Sequence, residues 1–488
     1  MLEGLRAVFQ REGYTEEAAI GRLRLGSELR VREGDTPVHL RRLDRGDALD
    51  WILRVFLLGV RTDRVPVEEA LGPVALEGLQ GAGLVELDAG TVHACVRVTP
   101  AAGRWFAHDP SDASGLRPDS VLGWTPAART LASLTVRRPV GTALDLGTGA
   151  GLQALLAADH AGRTVAVDIN DRALWLTSVN CALNGVTTVE CRQGDLFDPV
   201  GDERFDLVVS NPPFVISPAS EFMFRDGGRG ADSMSREVVT GAAARLVEGG
   251  YATVMCNWVI GPDEPWWQRP GSWVEGTGCD ALLLFYEALD PVKYAAVWIR
   301  HESLVAEEFG PALDSWLAYY RDTGVDRVGI GALVLRRRSG AENWVRKAEI
   351  GRGPSGSGSA QLLRIFDHGV AAEADLVGRR LALVRGHRLE QSLSYGQEGY
   401  AASPAQMVLD DGVGLRNEVS PEALHVLLRM DGRRTVGDLL AEAADETDIP
   451  ADVLAGRALA SLRQLYELGF VREGAPDGGA GTTIGEAG

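Results

Sequence analysis

VGTALDLGTGAG, running from Val140 to Gly151, is the stretch on which the reading of this chain turns. An apolar run reaches Asp145 and is followed by Gly147, Gly149 and Gly151. The pattern predicts a buried strand that turns sharply into a helix, because glycine permits the tight turn and lets backbone come close to a ligand. Leu152 stands where a dinucleotide fingerprint would want its third glycine. Asp145, at the carboxyl end of the strand, can meet a positively charged amino-acid tail and would repel a pyrophosphate.

Outward from this turn lie three more strand ends. VAVDIN (Val165 to Asn170) closes on Asp168, roughly 20 residues further on, the spacing at which an acid grips a ribose diol. QGDLF (Gln193 to Phe197) offers Asp195 as an acceptor for an adenine amino group, with Leu196 or Phe197 against the ring. LVVSNPPF (Leu207 to Phe214) ends in Asn211-Pro212-Pro213-Phe214. Both prolines lack a backbone N–H, so the loop presents carbonyl oxygens without competing donors. The Asn211 side-chain carbonyl and the Pro212 main-chain carbonyl can accept two hydrogen bonds from one planar NH2. Phe214 can lie on the flat face of the group that carries it. Aligning that nitrogen with an electrophilic methyl is a proximity effect.

Together the motifs resemble those of class I S-adenosylmethionine-dependent methyltransferases of the small-domain group, over about Val121 to Ile350. That group includes release-factor glutamine and ribosomal-RNA guanine and adenine methyltransferases. The resemblance implies S-adenosyl-L-methionine as cofactor. Asp145, Gly147, Thr148, Gly149 and Gly151 would hold its methionine part, Asp168 and Ile169 its ribose side, and Asp195 and Leu196 its adenine. Asn211, Pro212 and Phe214 would carry the chemistry on the target nitrogen, with Asn211 also counted among the cofactor-binding residues. Pro213, Phe214, Phe224 and Arg225 would meet the substrate. No metal is required, since a sulfonium methyl is already activated.

The chain has 488 residues, 45% hydrophobic and 24% charged, which is ordinary globular composition with room for several domains. The expected fold is α/β: a Rossmann-like, doubly wound, seven-stranded sheet over 119–350, flanked by winged-helix-like α+β domains at 1–118 and 362–475. Residues 351–361 read as a linker or loop, and 476–488 as a disordered tail. In the first domain Pro66 opens a short helix, Gly81 to Gly83 breaks the next, and Asp88 to Gly90 turns a hairpin. That unit is either a recognition module or a packing domain; its segment Glu68 to Leu79 has no Arg or Lys for phosphates. Trp124 and Thr125 either fold over the cofactor or serve as a core side chain and a helix cap. Val215 to Met234, with Phe222, Phe224, Arg225 and Arg229, reads as a lid or substrate wall. Arg336 to Arg338 reads as solvated arginines at a strand end.

No apolar run reaches membrane-span length, and the charged N-terminus does not read as a signal peptide, so a cytoplasmic setting without membrane contact is expected. Five scattered cysteines without a CxxC pair fit reduced thiols and neither zinc nor disulfides. The net charge of −19 weighs toward a protein or small-molecule acceptor, while the flanking domains and the RNA-modifying members of the group weigh toward RNA or DNA. The function expected is N-methyl transfer to a protein glutamine or a nucleobase. The alternative is a non-catalytic cofactor-sensing or nucleic-acid-binding protein that keeps the fold.

Overall fold

A computed structural model describes residues 1–31, 33–110, 117–218, 223, 225–226, 230–300, 306–340, 342–350, 356–370, 373–396, 399–447 and 449–474. Two compact units emerge. The first comprises Met1–Ala132, Arg137–Leu283 and Glu287–Ala341; the second comprises Ser133–Val136, Leu284–Tyr286 and the chain from Glu342 onward.

The central sheet has eight strands, one more than expected. They are β1 (Val140–Leu146), β2 (Ala161–Asp168), β3 (Val189–Gln193), β4 (Phe205–Ser210), β5 (Leu246–Ile260), β6 (Cys279–Leu289), β7 (Arg327–Arg337) and β8 (Val345–Glu349). The order across the sheet is β8-β6-β7-β5-β4-β1-β2-β3. β1 to β5 run parallel, and β7 is antiparallel to β5. The additional strand is β8, at the sheet edge; just beyond it the Ile350 amide donates to the carbonyl of Phe285, both in the second unit.

The parallel strands follow from their sequences. Leu144, Leu146, Val165, Val167 and Val208 are all buried, the continuous apolar run of strands covered on both faces. Strand order reverses between β1 and β4, so their carboxyl ends diverge and leave a crevice. In β5 Gly249-Gly250, a pair that alone would suggest a turn, forms a bulge within the strand: register shifts between Leu246 and Tyr251, with Gly249 at φ 73°.

In the first unit a short strand (Thr62–Asp63), two helices (Arg64–Leu71 and Leu76–Gly81) and a hairpin (Val85–Asp88 and Thr91–Ala94) precede the central sheet. The last strand lies between the other two. A second hairpin, Arg97–Ala101 with Arg104–His108, follows. These elements, and the helical segments Leu2–Arg11 and Leu53–Leu57 before them, share one core with the helices Leu152–Ala157 and Asp171–Asn184 through Leu5, Phe9, Phe56, Val92, Phe106, Leu152, Leu176 and Leu183.

The second unit contains helices Ser359–His368, Pro421–Leu427, Val436–Asp445 and Ala451–Glu467. Thr435 caps the third with a reciprocal bond pair: its hydroxyl accepts from the Asp438 amide, and the Asp438 carboxylate accepts from the Thr435 amide. The expected linker 351–361 is helical from Ser359, and residues 351–355 lie outside the described residues. So does the tail at 476–488. Among the described residues no helix is long and apolar enough to cross a membrane.

Candidate active site

A cavity of about 380 Å³ opens at the carboxyl ends of β1 to β4. Its lining includes Asp145, Gly147, Thr148, Gly149, Asp168, Ile169, Asp195, Leu196, Asn211 and Pro213, so the four sequence motifs converge on one space. Gly151, Pro212, Phe214 and Arg225 are not among its walls. Phe224, together with Phe222 and Arg229, lies outside the described residues.

The glycine turn is built from backbone. The amides of Gly147 and Thr148 both donate to the carbonyl of Val167, at 2.9 Å each. Gly147 has φ 68°, and a Cβ there would point into open space. Gly151 (φ 76°) serves the packing instead. A Cβ there would lie 2.8 Å from the Thr177 methyl, so only glycine fits at this helix start. Thr177 and Asn180, one helical turn apart, face this loop. Thr177 Oγ1 donates to the Gly149 carbonyl at 3.0 Å. Asn180 Nδ2 donates to the carbonyls of Ala150 (2.8 Å) and Ala107 (2.9 Å), and its Oδ1 accepts from the Ala107 amide at 2.7 Å. The sequence motifs do not point to Asn180. Its signal there is only a polar residue on the inner face of a helix.

Asp145 is fully buried. Its Oδ2 accepts from Thr148 Oγ1 (2.7 Å) and the Ala154 amide (2.8 Å). Burial, opposed by these bonds, pushes its carboxyl up to about 7. Asp168 ties two turns together, accepting from the amides of Gly149 (2.9 Å) and Asn170 (3.0 Å). Burial raises its pKa as well. At the mouth, Ile169 is 54% exposed and Leu196 adopts φ 45°, a left-handed conformation unusual for a branched side chain. Asp195 lies beside them, itself exposed.

At the other end stand Asn211, Pro213, Met223, Asp226 and Met234. Asn211 Oδ1 is buried and has no hydrogen-bond partner among the described residues. Phe214 turns away and packs against the cluster containing Val215, Ile216 and Tyr294. Arg225, expected at a substrate wall, is 2% exposed and grips Asp226 through Nε (2.8 Å) and a terminal nitrogen (3.0 Å). Thr125 lines the cavity and caps its helix, its hydroxyl accepting from the Ala128 amide at 3.2 Å. Trp124 stacks on Phe106 at 5.9 Å, so it is a core side chain. The arginines at the end of β7 are not solvated as expected: Arg338 forks onto buried Asp280 (2.6 and 2.7 Å), and Arg337 donates to the Ala243 carbonyl at 3.0 Å. No Lys, Arg or His lines the cavity among the described residues, whereas Asp145, Asp168, Asp195 and Asp226 do.

Residues 125–262, which carry this turn and all four strand ends, match the family described as the methyltransferase small domain. A second match, to a domain of unknown function (DUF7059), covers residues 13–95. Among curated relatives, the release factor glutamine methyltransferase of Xylella fastidiosa is 33% identical over 129 residues, 23% of this chain and 46% of that protein. The ribosomal protein uL3 glutamine methyltransferase of Bradyrhizobium diazoefficiens is 32% identical over 161 residues, 30% and 50% of the two chains. The chain thus spans about half the length of the curated relatives it matches. Among solved structures, a T. thermophilus 16S rRNA N2 G1207 methyltransferase aligns at 16% identity over 62% of this chain and 69% of its own, with a TM-score of 0.29. The first match covers β1 to β5 of the central sheet, and the second covers most of the elements that precede it.

Proposed function

We propose that the chain is an S-adenosylmethionine-dependent N-methyltransferase acting on a planar amino or amide nitrogen, in a protein glutamine or an RNA or DNA base. One observation carries the reading. The carboxamide oxygen of Asn211 is buried without a donor, in a residue that shares a cavity with the glycine turn. A buried acceptor left unpaired costs about 1–3 kcal/mol, which an arriving N–H relieves. Asn211 Oδ1 and the Pro212 carbonyl would take both hydrogens of one NH2, holding its lone pair toward the cavity and its electron density on nitrogen.

The lining fits the cofactor. Gly147 leaves room for it, and a wall of carboxylates without a cation suits a positively charged ligand and opposes a phosphorylated one. Asp145 would face the ammonium end, Asp168 the ribose hydroxyls, and Asp195 the adenine amino group, with Ile169 and Leu196 against the ring. When bound, S-adenosylmethionine supplies a methyl group activated by its sulfonium.

A pH dependence follows from Asp145. With its carboxyl near 7, the free site is neutral there below that pH, and a cation favours the ionised form. Cofactor affinity should therefore rise as pH climbs from 6 to 8, with proton release on binding. In the free protein the sign is opposite: the native state keeps a proton that the unfolded chain has lost, so stability falls as pH rises from about 4 to 7. Calorimetric titration in buffers of different ionisation heat checks the first statement. An affinity that is flat with pH would exclude Asp145 from the ligand.

Between the two acceptor classes, the cavity's lack of cations and the net charge of −19 support a protein. The named relatives act on protein glutamines, which supports the same choice. We read Thr62–Ala94 as a winged-helix-like module because its strands are ordered first-third-second around two helices. Its Leu76–Gly81 helix carries Glu77 and no cation, which suits an adaptor to protein better than a grip on phosphates. The three helices and closing strand of residues 421–473 support a second such module. The test is methyl transfer from labelled S-adenosylmethionine to RNA, DNA and protein fractions of cells lacking this gene. Label on protein glutamine is expected, label on a base selects the other acceptor, and label in none of them overturns the reading.

A further inference from the structure

β6 and β7 are sheet neighbours and consecutive in the chain, so a short loop would join them. Two helices stand there instead, Pro291–Ile299 and Ala306–Thr323. Their buried faces, Tyr294, Ala295, Ile299, Trp316 and Tyr320, pack on Val215 and Ile216, directly after Asn211-Pro-Pro-Phe214.

The contact is more than apolar. The Ile216 amide donates to the hydroxyl of Tyr294 at 3.2 Å. The Ile216 carbonyl accepts from the hydroxyl of Tyr320 at 2.8 Å. Asn257 Nδ2 also donates to the Tyr294 hydroxyl, at 2.7 Å, and so ties it to β5. On the other side the Val215 amide donates to the Arg225 carbonyl at 3.1 Å, and Ser217 Oγ donates to cavity-lining Asp226 at 2.7 Å. The Tyr319 hydroxyl accepts from the Ala231 amide at 2.9 Å. Phenylalanine would fill the same space. A buried hydroxyl is favourable only when paired, and both of these are committed to the backbone of one residue. Burial pushes both phenols well up, so they stay protonated.

We propose that Tyr294 and Tyr320 are positioning residues: by holding both backbone groups of Ile216, the helical insertion fixes the direction of Asn211–Phe214 and so of the Asn211 carboxamide. This rests on the N-methyltransferase reading above. The prolines make the four residues stiff, so a shift at Ile216 is transmitted to Asn211 instead of being absorbed. Misplacement by about 1 Å is enough to cost of order 100-fold in rate.

The test uses the full chain with Tyr320→Phe, Tyr294→Phe and the double variant. Tyr294→Phe strands two buried N–H groups and can impair folding; Tyr320→Phe removes only a donor to a carbonyl and is the safer probe. Three quantities are read: S-adenosylmethionine affinity, the rate of methyl transfer to the cell fractions at saturating cofactor, and hydrogen exchange of the peptide spanning 211–218. Tyr320→Phe should leave cofactor affinity within about twofold, speed exchange of that peptide about tenfold, and slow transfer about 10- to 100-fold. The double variant should be little slower than the singles, because the two act on one residue. Unchanged exchange in 211–218, or unchanged transfer despite faster exchange, overturns the proposal. If the parent protein transfers no methyl at all, the N-methyltransferase reading falls. Accelerated exchange confined to 211–218 would then still support the clamp on the loop, and its absence would refute it.

Discussion

Asn211→Ala should abolish methyl transfer, by about 1000-fold or more, while S-adenosylmethionine binds within about twofold of the parent affinity. The asymmetry comes from position. Asn211 follows β4 and lines the cavity together with Pro213, Met223 and Met234, its side-chain oxygen buried and without a partner among the described residues. The groups expected to hold the cofactor are on β1, β2 and β3 and their turns, with their own supporting bonds from Thr148, Ala154, Gly149 and Asn170. Alanine removes the acceptor and disturbs none of these. Asn211→Asp should also fail, because a carboxylate in that buried place would have to be desolvated or neutralised. Calorimetry for binding and single-turnover label transfer for rate make the comparison. Loss of both in equal measure would mean that Asn211 holds the cofactor instead.

Asn180→Ala should lower stability by about 3–5 kcal/mol, a large part of the usual 5–15 kcal/mol, and weaken cofactor binding with it. The side chain makes three bonds to backbone, all from a fully buried position. Its removal leaves the Ala107 amide and carbonyl without these partners and releases the Ala150 carbonyl in the glycine turn. Asn184→Ala is the milder comparison: Asn184 bonds the Trp105 amide (3.0 Å) and carbonyl (2.7 Å) but is only half-buried and does not touch the turn. Thermal unfolding with and without cofactor reads both variants. A midpoint for Asn180→Ala within a degree or two of the parent would refute the account.

The central sheet is readable from sequence because β1, β2, β4 and β5 hold continuous apolar runs that each stop at a polar residue or glycine, while the edge strand β3, Val-Glu-Cys-Arg-Gln, is marked only by the Gly194-Asp195 that follows it. Those stops mark the carboxyl ends, and so the site. β8 is not readable: Val-Arg-Lys-Ala-Glu is a charged edge strand with one buried residue, Ala348. The small sheets between His387 and Val419 escape for a related reason. Leu393, Tyr395 and Tyr400 lie on exposed hairpin strands, so no inward-facing stripe announces them. Arg225 and Phe214 look like substrate contacts by residue type alone. The next residue, Asp226, is the sign that Arg225 already has a partner, and the apolar Val215-Ile216 is the sign that Phe214 has a core to join. Asn180 and the tyrosine pair cannot be found from spacing, since each acts on backbone far away in the chain.

Asn180 also changes what a boundary at residue 118 means. One amide group is shared between the hairpin strand Arg104–His108 and the loop that would cradle the cofactor. A truncated chain beginning near 119 would not be a smaller enzyme with its appendage removed. It would have an unlatched glycine turn and a bare apolar wall where Leu5, Phe9 and Phe56 had been. The two stretches must fold together, and a change in either is inherited by the other.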